Sequence, residues 1–467
     1  MRGVTMWIPM LAMSLCCGAA IARPPVDPLP LPTSGVIGVQ EAQLAPAFWI
    51  RRLRQPDANI LTPAEITAAN ARMLRLEPSL HDLASLPDLL PRAWVLGRIE
   101  GVSRIPAGEL FDEEGQRFPQ AMRAQWQASL ALDRVAEHVP VRFGLVVVRA
   151  SLRAFPTELG VFTKPGDTDI DRFQETAEFP GTPVAVVHES ADGRWLFVAS
   201  PRYAAWTQRE NIALGTRADV LGYAARTPFR VVTGARAETV FTPEAPQVSR
   251  REFDMSTRLP LAIGLAPDLP VNGQTAYAAW ALSLPIRNDD GSLAFLPALV
   301  PKSADTAAGY LPYTRANLIR QAFKFLGERY GWGHAYDGRD CSGFVSEVFA
   351  SMGILLPRNT SRQAVSPGVV HRLFGTTDSR ADRLAAAQAL DVGDLVYIPG
   401  HVMLVIGRLH GQPYVIHDVT GMRYRNPDGS QATVRLNSVA VTPLLPLLFD
   451  SDATFIDRMT SIVRIRR

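Results

Sequence analysis

Cys341 opens the motif Asp340-Cys341-Ser342-Gly343-Phe344, and His401 and His417 follow downstream. The other two cysteines, Cys16 and Cys17, lie in a stretch that reads as an export signal, so Cys341 has no disulfide partner in the mature chain. Such a thiol is either a small buried hydrophobe, a link to another chain, or a reactive group. Phe344, Val345, Val348, Phe349 and Met352 recur at helical spacing, and Gly353 sits where a helix stops. That spacing places Cys341 in the first turn of a buried helix. Free N–H groups and partial positive charge at a helix start favour a thiolate, and they can also hold the oxyanion of an acyl transfer.

The two histidines lie in strand-like sequence. Asp391 to Ile398 reads as a turn feeding a strand, Pro399-Gly400 breaks it, and His401 opens Val402 to Ile406. Gly411 marks a turn before Tyr414-Val415-Ile416-His417. A hairpin with its tip near Leu409 sets His401 directly opposite His417, on one sheet face, with Asp418 on the other. One imidazole then takes the thiol proton, while the second accepts a hydrogen bond from its far nitrogen and fixes its tautomer. His401, at the strand edge, is assigned as base and His417 as orienting residue. The rival reading of the same three residues is a Cys/His/His zinc site; the covalent reading needs no metal or cofactor. His81, His138, His188, His334, His371 and His410 have no comparable partner and read as ordinary surface or core residues.

At 467 residues the chain requires several cores. Residues 23–139 begin Pro-rich and turn helical, with Thr62-Pro63-Ala64-Glu65 as a helix start, and are read as one N-terminal segment. From Val141 the texture changes to short β-rich runs, among them Phe143 to Val148, Pro183 to Val187 and Arg194 to Val198, with a hairpin connection at His188 to Gly193. A second set comprises Phe229 to Thr233, Leu259 to Leu265 and Ala276 to Pro285. Two small barrels, at 140–215 and 216–301, are expected. Residues 302–467 form an α+β segment that carries the chemistry.

Composition excludes some functions. A net charge of +3 with only three lysines gives no nucleic-acid footprint, and 20% charged residues is ordinary for a globular chain. Residues 1–22 read as a signal peptide, with Arg2, an apolar Met6 to Ala19 and a small-residue cleavage site at Ala20-Ile21-Ala22. The alternative is a retained anchor. No other apolar run approaches the ~20 residues that span a bilayer, so no integral span is expected after cleavage and the chain is placed in the periplasm or cell envelope.

Tyr330-Gly331-Trp332-Gly333, the Cys341 motif, Leu356-Pro357-Arg358-Asn359-Thr360-Ser361, Gly393-Asp394-Leu395 and His401-Val402 together resemble the NlpC/p60 cell-wall cysteine peptidases over about residues 302–446. Asp192-Gly193-Arg194-Trp195 and Tyr203-Ala204-Ala205-Trp206 resemble turns of bacterial SH3 barrels, with Ala205 where many members have Gly; His334 likewise stands where a second Gly is common. The resemblance implies a papain-like peptidase domain behind two SH3-type barrels and a helical stabilising domain. It implies cleavage of peptidoglycan stem peptides at the γ-D-glutamyl–diamino acid bond through a Cys341 thioester. By position it makes Asp340 and Ser342 candidates for holding the free amine of the leading L-alanine, Tyr330 a pocket wall, and Tyr203 a closing residue from the first barrel. Asp340 or Ser342 can equally cap the helix. Two other classes stay open: a wall-binding protein with an inactive peptidase domain, and an amidase or acyltransferase on the same scaffold.

Overall fold

The computed structural model describes residues 35–466 apart from 267 and 427; the expected signal at 1–22, with Cys16 and Cys17, and the Pro-rich stretch to Thr33 lie outside the described residues. Among the described residues no helix is long and apolar enough to cross a membrane. The chain is a multidomain α+β protein.

The C-terminal unit is built on one antiparallel sheet. Its strands are β1 (Val370–Leu373), β2 (Leu395–Ile398), β3 (His401–Leu409), β4 (Gln412–Arg425), β5 (Gln431–Pro443) and β6 (Ser461–Arg464), in the order β1-β6-β2-β3-β4-β5. Helix α1 (Cys341–Ala350) crosses one face. Its Phe344, Val345 and Val348 share a core with Val402, Leu404 and Ile406 of β3 and Ile416 of β4. The alternate residues Met403, Val405 and Val415 enter a second core on the other face. This period of two lets a single strand hold both cores. Helix α1 stops as the sequence requires: Gly353 adopts φ +78°, left-handed backbone that glycine takes without strain.

The β3–β4 hairpin turns at His410-Gly411, both with positive φ, between paired Leu409 and Gln412. Two left-handed residues in a two-residue loop match the twist of the flanking strands. A bulge between Val405 and Gly407 then shifts the register, and pairing stops at Leu404–Ile416.

The N-terminal segment, read from sequence as one unit, divides between two cores. Helix Pro63–Leu76 begins with the expected capping box: Thr62 N–H donates to Glu65 at 2.8 Å, and Glu65 N–H donates to the Thr62 hydroxyl at 3.3 Å. Trp49, Leu61, Ile66 and Met73 join the α1 core, and Asn59–Leu61 pairs with Tyr313–Thr314. Residues from Leu83 to Val139 pack instead with the first β unit. That unit is a seven-stranded antiparallel sheet covering 142–215. Between 229 and 307 the chain forms three small sheets around one core, the longest pairing being Ala279–Arg287 with Leu293–Pro301. Pro228, Pro243, Pro246 and Pro270 remove ladder donors there, which breaks the sheet into pieces. Leu259 to Leu265, read as a strand, is laddered over Arg258–Pro260 and adds one bridge from Leu261 to Leu282; Ile263 and Leu265 lie exposed in a loop.

Trp49 is the piece of the N-terminal segment most deeply set into the C-terminal unit. It is 1% exposed, its indole N–H donates to the Gln43 carbonyl at 2.8 Å, and its ring lies 5.2 Å from that of Tyr414. A Cβ on Gly407 would come within 2.7 Å of that ring, so the bulged strand needs glycine here. Trp49→Ala is expected to lower stability by ~3–5 kcal/mol, the usual cost of emptying a large aromatic site. Denaturant titration should register the loss; a change under 1 kcal/mol would show that this helix is not part of the core.

Candidate active site

Cys341 sits at the first position of α1, with Asp340 as N-cap. One Asp340 carboxylate oxygen accepts from Gly343 N–H at 2.8 Å, Ser342 Oγ at 3.1 Å and Arg358 Nη1 at 3.1 Å. The other accepts from Gly333 N–H at 3.1 Å and Arg358 Nη2 at 2.8 Å. Burial alone would raise this carboxyl, but the Arg358 guanidinium and the other donors hold it well below the usual carboxylate range. Arg358 Nη1 also donates to Ser342 Oγ at 3.0 Å. Asp340 and Ser342 therefore flank Cys341 with their polar atoms already engaged by a buried arginine.

The thiol is buried. Its hydrogen-bond partners are the Thr360 hydroxyl and the Gly400 carbonyl, each at 4.0 Å, rather than the His401 ring. The Val402 backbone N–H also contacts it. Gly400 and Val402 flank His401, and both lie beyond the point where β3–β4 pairing stops. The opened ladder leaves this backbone to meet the sulfur. Burial and the Asp340 carboxylate push the thiol up to about 12.

His401 and His417 meet, though not by the expected register. Continuing the observed pairing sets His417 opposite Met403, so the two histidines are diagonal neighbours rather than directly opposed. The bulge accounts for the displacement, and a shift of two keeps both residues on one face. His401 Nε2 lies 2.7 Å from His417 Nδ1, and His417 Nε2 lies 2.9 Å from Thr442 Oγ1. With each Nε2 carrying a proton toward the next acceptor, His401 Nδ1 is left with a free lone pair. Thr442, one strand farther on β5, had no distinguishing signal in the sequence. Burial lowers His401 to about 4, and burial followed by the neighbouring imidazole holds His417 well below the usual range. Thiol and imidazole thus rest as a neutral pair. Among the described residues no three His, Cys, Asp or Glu side chains are arranged to hold a metal ion.

The first β unit forms another wall of the site. Tyr203 donates a short hydrogen bond to Glu175, Arg358 Nε donates to Thr176 Oγ1 at 2.6 Å, and Gln174 Nε2 donates to the Gly333 carbonyl at 2.8 Å. Burial raises Glu175 to about 7, against the opposing pull of the Tyr203 hydrogen bond and the Arg358 charge. Tyr330 is buried beside the nucleophile, and burial followed by the Cys341 and Asp340 charges pushes its phenol far up. Glu175 escaped sequence reasoning because Gln174-Glu175-Thr176 carries no motif.

His334, read as an ordinary residue, has central contacts. It is 1% exposed with φ +65°, its Nε2 is 2.9 Å from Glu347, and its Nδ1 accepts from Arg358 at 3.0 Å.

Residues 327–440 match the NlpC/P60 family and residues 161–208 match the SH3 domain of SH3b1 type. The chain carries an NlpC/P60 domain. Probable endopeptidase p60 of Listeria welshimeri is 36% identical over 119 residues, covering 24% of this chain and 19% of that protein. The bifunctional muramidase/DL-endopeptidase CwlT of Bacillus subtilis is 31% identical over 117 residues, covering 23% and 30%. The match thus spans about a fifth to a third of these relatives' lengths. A solved NlpC/P60 endopeptidase from Photobacterium damselae subsp. piscicida shares the fold at a TM-score of 0.69 and 16% identity, over 89% of this chain and 96% of that one. The nucleophile helix and the β3–β5 strands that hold His401, His417 and Thr442 all belong to the NlpC/P60 domain, apart from the end of β5.

A neutral pair gives a distinct reactivity. At pH 7, Cys341 should be alkylated by iodoacetamide more slowly than free cysteine, with the rate rising steadily toward alkaline pH. A reactive plateau already present at pH 6 would show a resting thiolate–imidazolium pair instead.

Proposed function

We propose that this protein is an exported cysteine endopeptidase that hydrolyses peptidoglycan stem peptides at the γ-D-glutamyl–diamino acid bond. The observation that carries the reading is the alignment of a helix-start thiol, the backbone on either side of His401, and the His401–His417–Thr442 relay.

Cys341 is the nucleophile in this reading. Because the pair rests neutral, the thiol proton passes to His401 as sulfur attacks the γ-carbonyl carbon, giving a tetrahedral oxyanion and an imidazolium. His417 accepts the His401 Nε2–H bond and steadies the ring through that charge change. Free N–H groups at the start of α1, with the Tyr330 phenol beside them, are the donors available to the oxyanion. The imidazolium then protonates the departing amine, and the carbon–nitrogen bond breaks to leave the thioester. Water, deprotonated by His401, attacks the thioester carbonyl and returns the free thiol.

Acyl-side recognition is placed at the first β unit. A free substrate amine needs an acceptor, and Asp340 already takes five donors, with Ser342 tied to it. Glu175, joined to Tyr203, is the carboxyl with capacity to spare, and Asp340 and Ser342 contribute chiefly by fixing the nucleophile's turn. An arriving ammonium favours the ionised form of Glu175. The second class of reading, a binding protein with an idle peptidase domain, differs in one outcome only, which is turnover.

Incubating L-Ala-γ-D-Glu-diamino acid with the protein should release the diamino acid, and Cys341→Ala should abolish that release by mass spectrometry. Retained release in the variant would sink the assignment. Because Glu175 is ionised only above about pH 7 in the free protein, kcat/KM for amine-bearing peptides should climb as pH rises through that value. Glu175→Gln should remove this rise and lower kcat/KM roughly tenfold or more, the worth of a charge-assisted hydrogen bond. An unchanged pH profile in the variant would move the amine site elsewhere.

A further inference from the structure

A groove of about 650 Å³ starts at His401 and Tyr330 and continues along β4 past Gly421 to Arg423, with Phe449 on its rim. Its opposite wall is the first β unit's loop around Asp169, pinned to the C-terminal unit by Arg435, by Arg329 at 3.1 Å and by Asn437 at 3.2 Å. Glu175 and Tyr203 do not border it.

We propose that this groove binds the peptide on the leaving-group side of the scissile bond, and that Arg423 takes its C-terminal carboxylate. The inference rests on the endopeptidase reading above and adds a substrate preference to it: a leaving peptide of two or three residues with a free carboxylate over a single diamino acid.

Three observations carry it. The group that protonates the departing amine must lie beside it, so the leaving peptide belongs on the side of the cleft that His401 borders. Length is the second. His417 and Arg423 are separated by six residues of strand, ~20 Å at ordinary strand rise, and the bulge between Val419 and Gly421 shortens and bends that path. One residue spans at most ~3.5 Å and three span about 10 Å; the long arginine side chain bridges the remainder only for the longer peptide.

Charge is the third. Arg435 borders the same groove but is committed to Asp169. Arg423 is exposed and makes neither a hydrogen bond nor an ion pair among the described residues. Of the acidic groups lining the groove, Asp169 is neutralised by its arginines and Asp167 stands on the far wall. Asp418, at the near end, is fully buried, and burial pushes its carboxyl well above the usual carboxylate range. Arg423 is therefore the cation left available at the far end. Phe449, 37% exposed, offers apolar surface to small side chains on the way.

The test compares three synthetic substrates sharing L-Ala-γ-D-Glu-diamino acid: the tripeptide, its extension by two D-alanines, and the C-terminal amide of that extension. The extended acid should exceed the tripeptide by about fivefold in kcat/KM, mostly through KM, which is the upper range for an exposed ion pair. The amide should fall back to the tripeptide level. Arg423→Glu should erase the advantage of the extended acid over the tripeptide and the amide. Equal rates for all three peptides, or a preference that survives Arg423→Glu, would overturn the proposal. Calorimetry on Cys341→Ala separates it from the endopeptidase reading. Tighter binding of the extended acid than of its amide, lost in Cys341→Ala/Arg423→Glu, supports the groove even if no peptide is cut; equal binding rejects it.

Discussion

The site depends on one buried chain of charge. Arg339 is fully buried and donates to Asp254 at 2.7 Å, Glu328 at 2.6 Å and Glu347 at 2.6 Å. Glu347, on α1, meets His334; His334 accepts from Arg358; Arg358 pairs with Asp340. The chain thus runs from the 229–307 unit, through the helix that carries the nucleophile, to that helix's cap. Swapping such a network for apolar side chains is often neutral for stability, whereas removing one member leaves a buried charge unpaired and costs ~3–5 kcal/mol. Its value lies in geometry. Its members meet several partners at fixed hydrogen-bond distances, and the links to Asp254 and Thr176 tie both β units to the C-terminal unit. His334 carries a left-handed backbone for this, a cost of ~1–3 kcal/mol outside glycine, which its imidazole bridge to two ion pairs offsets.

That network also explains the resting state of the nucleophile. A helix start favours a thiolate through a partial charge of about +0.5. Here the same turn is capped by an ionised Asp340, held anionic by Arg358, and the sulfur is buried. Desolvation of the buried sulfur outweighs the partial positive charge, and the full negative charge within the first turn adds to it. Position at a helix start is therefore a sound sign of where a nucleophile sits and a poor guide to its protonation. The two imidazoles obey the same rule: burial lowers both, and at His401 it outweighs the upward pull of the Asp340 carboxylate, so charge appears only as the proposed reaction proceeds.

Much of this was legible in the sequence, and its failures have physical causes. Helix α1, its Asp340 cap and the Gly353 stop follow from apolar spacing and turn chemistry, which are local. The pairing of His401 with His417 was legible because a strand's period of two survives a register error. Its detail was not, since a bulge between Val405 and Gly407 depends on how Trp49 packs against Gly407, more than 350 residues away in the sequence. Thr442, Glu175 and His334 are polar residues in unremarkable strings whose importance comes from partners on other elements. The N-terminal segment was misjudged as one body for the same reason: its helices are locally regular, but which core each one enters is decided by tertiary contact.

These long-range contacts give the two ends of the cleft different characters. At one end the first β unit delivers Glu175, Tyr203 and Thr176 onto Arg358, closing the space beside the nucleophile with fixed, mostly buried groups. At the other, the same unit's loop is held through Asp169 and the Thr168 carbonyl and stands back to leave an open groove. A closed polar end suits a chain terminus of defined charge, because an internal residue would have nowhere to continue. An open end tolerates length and selects by what its far wall offers. In the proposed reading, the SH3-type unit is more than an appendage that brings the C-terminal domain to its target: its Glu175 and Tyr203 set where a substrate must begin.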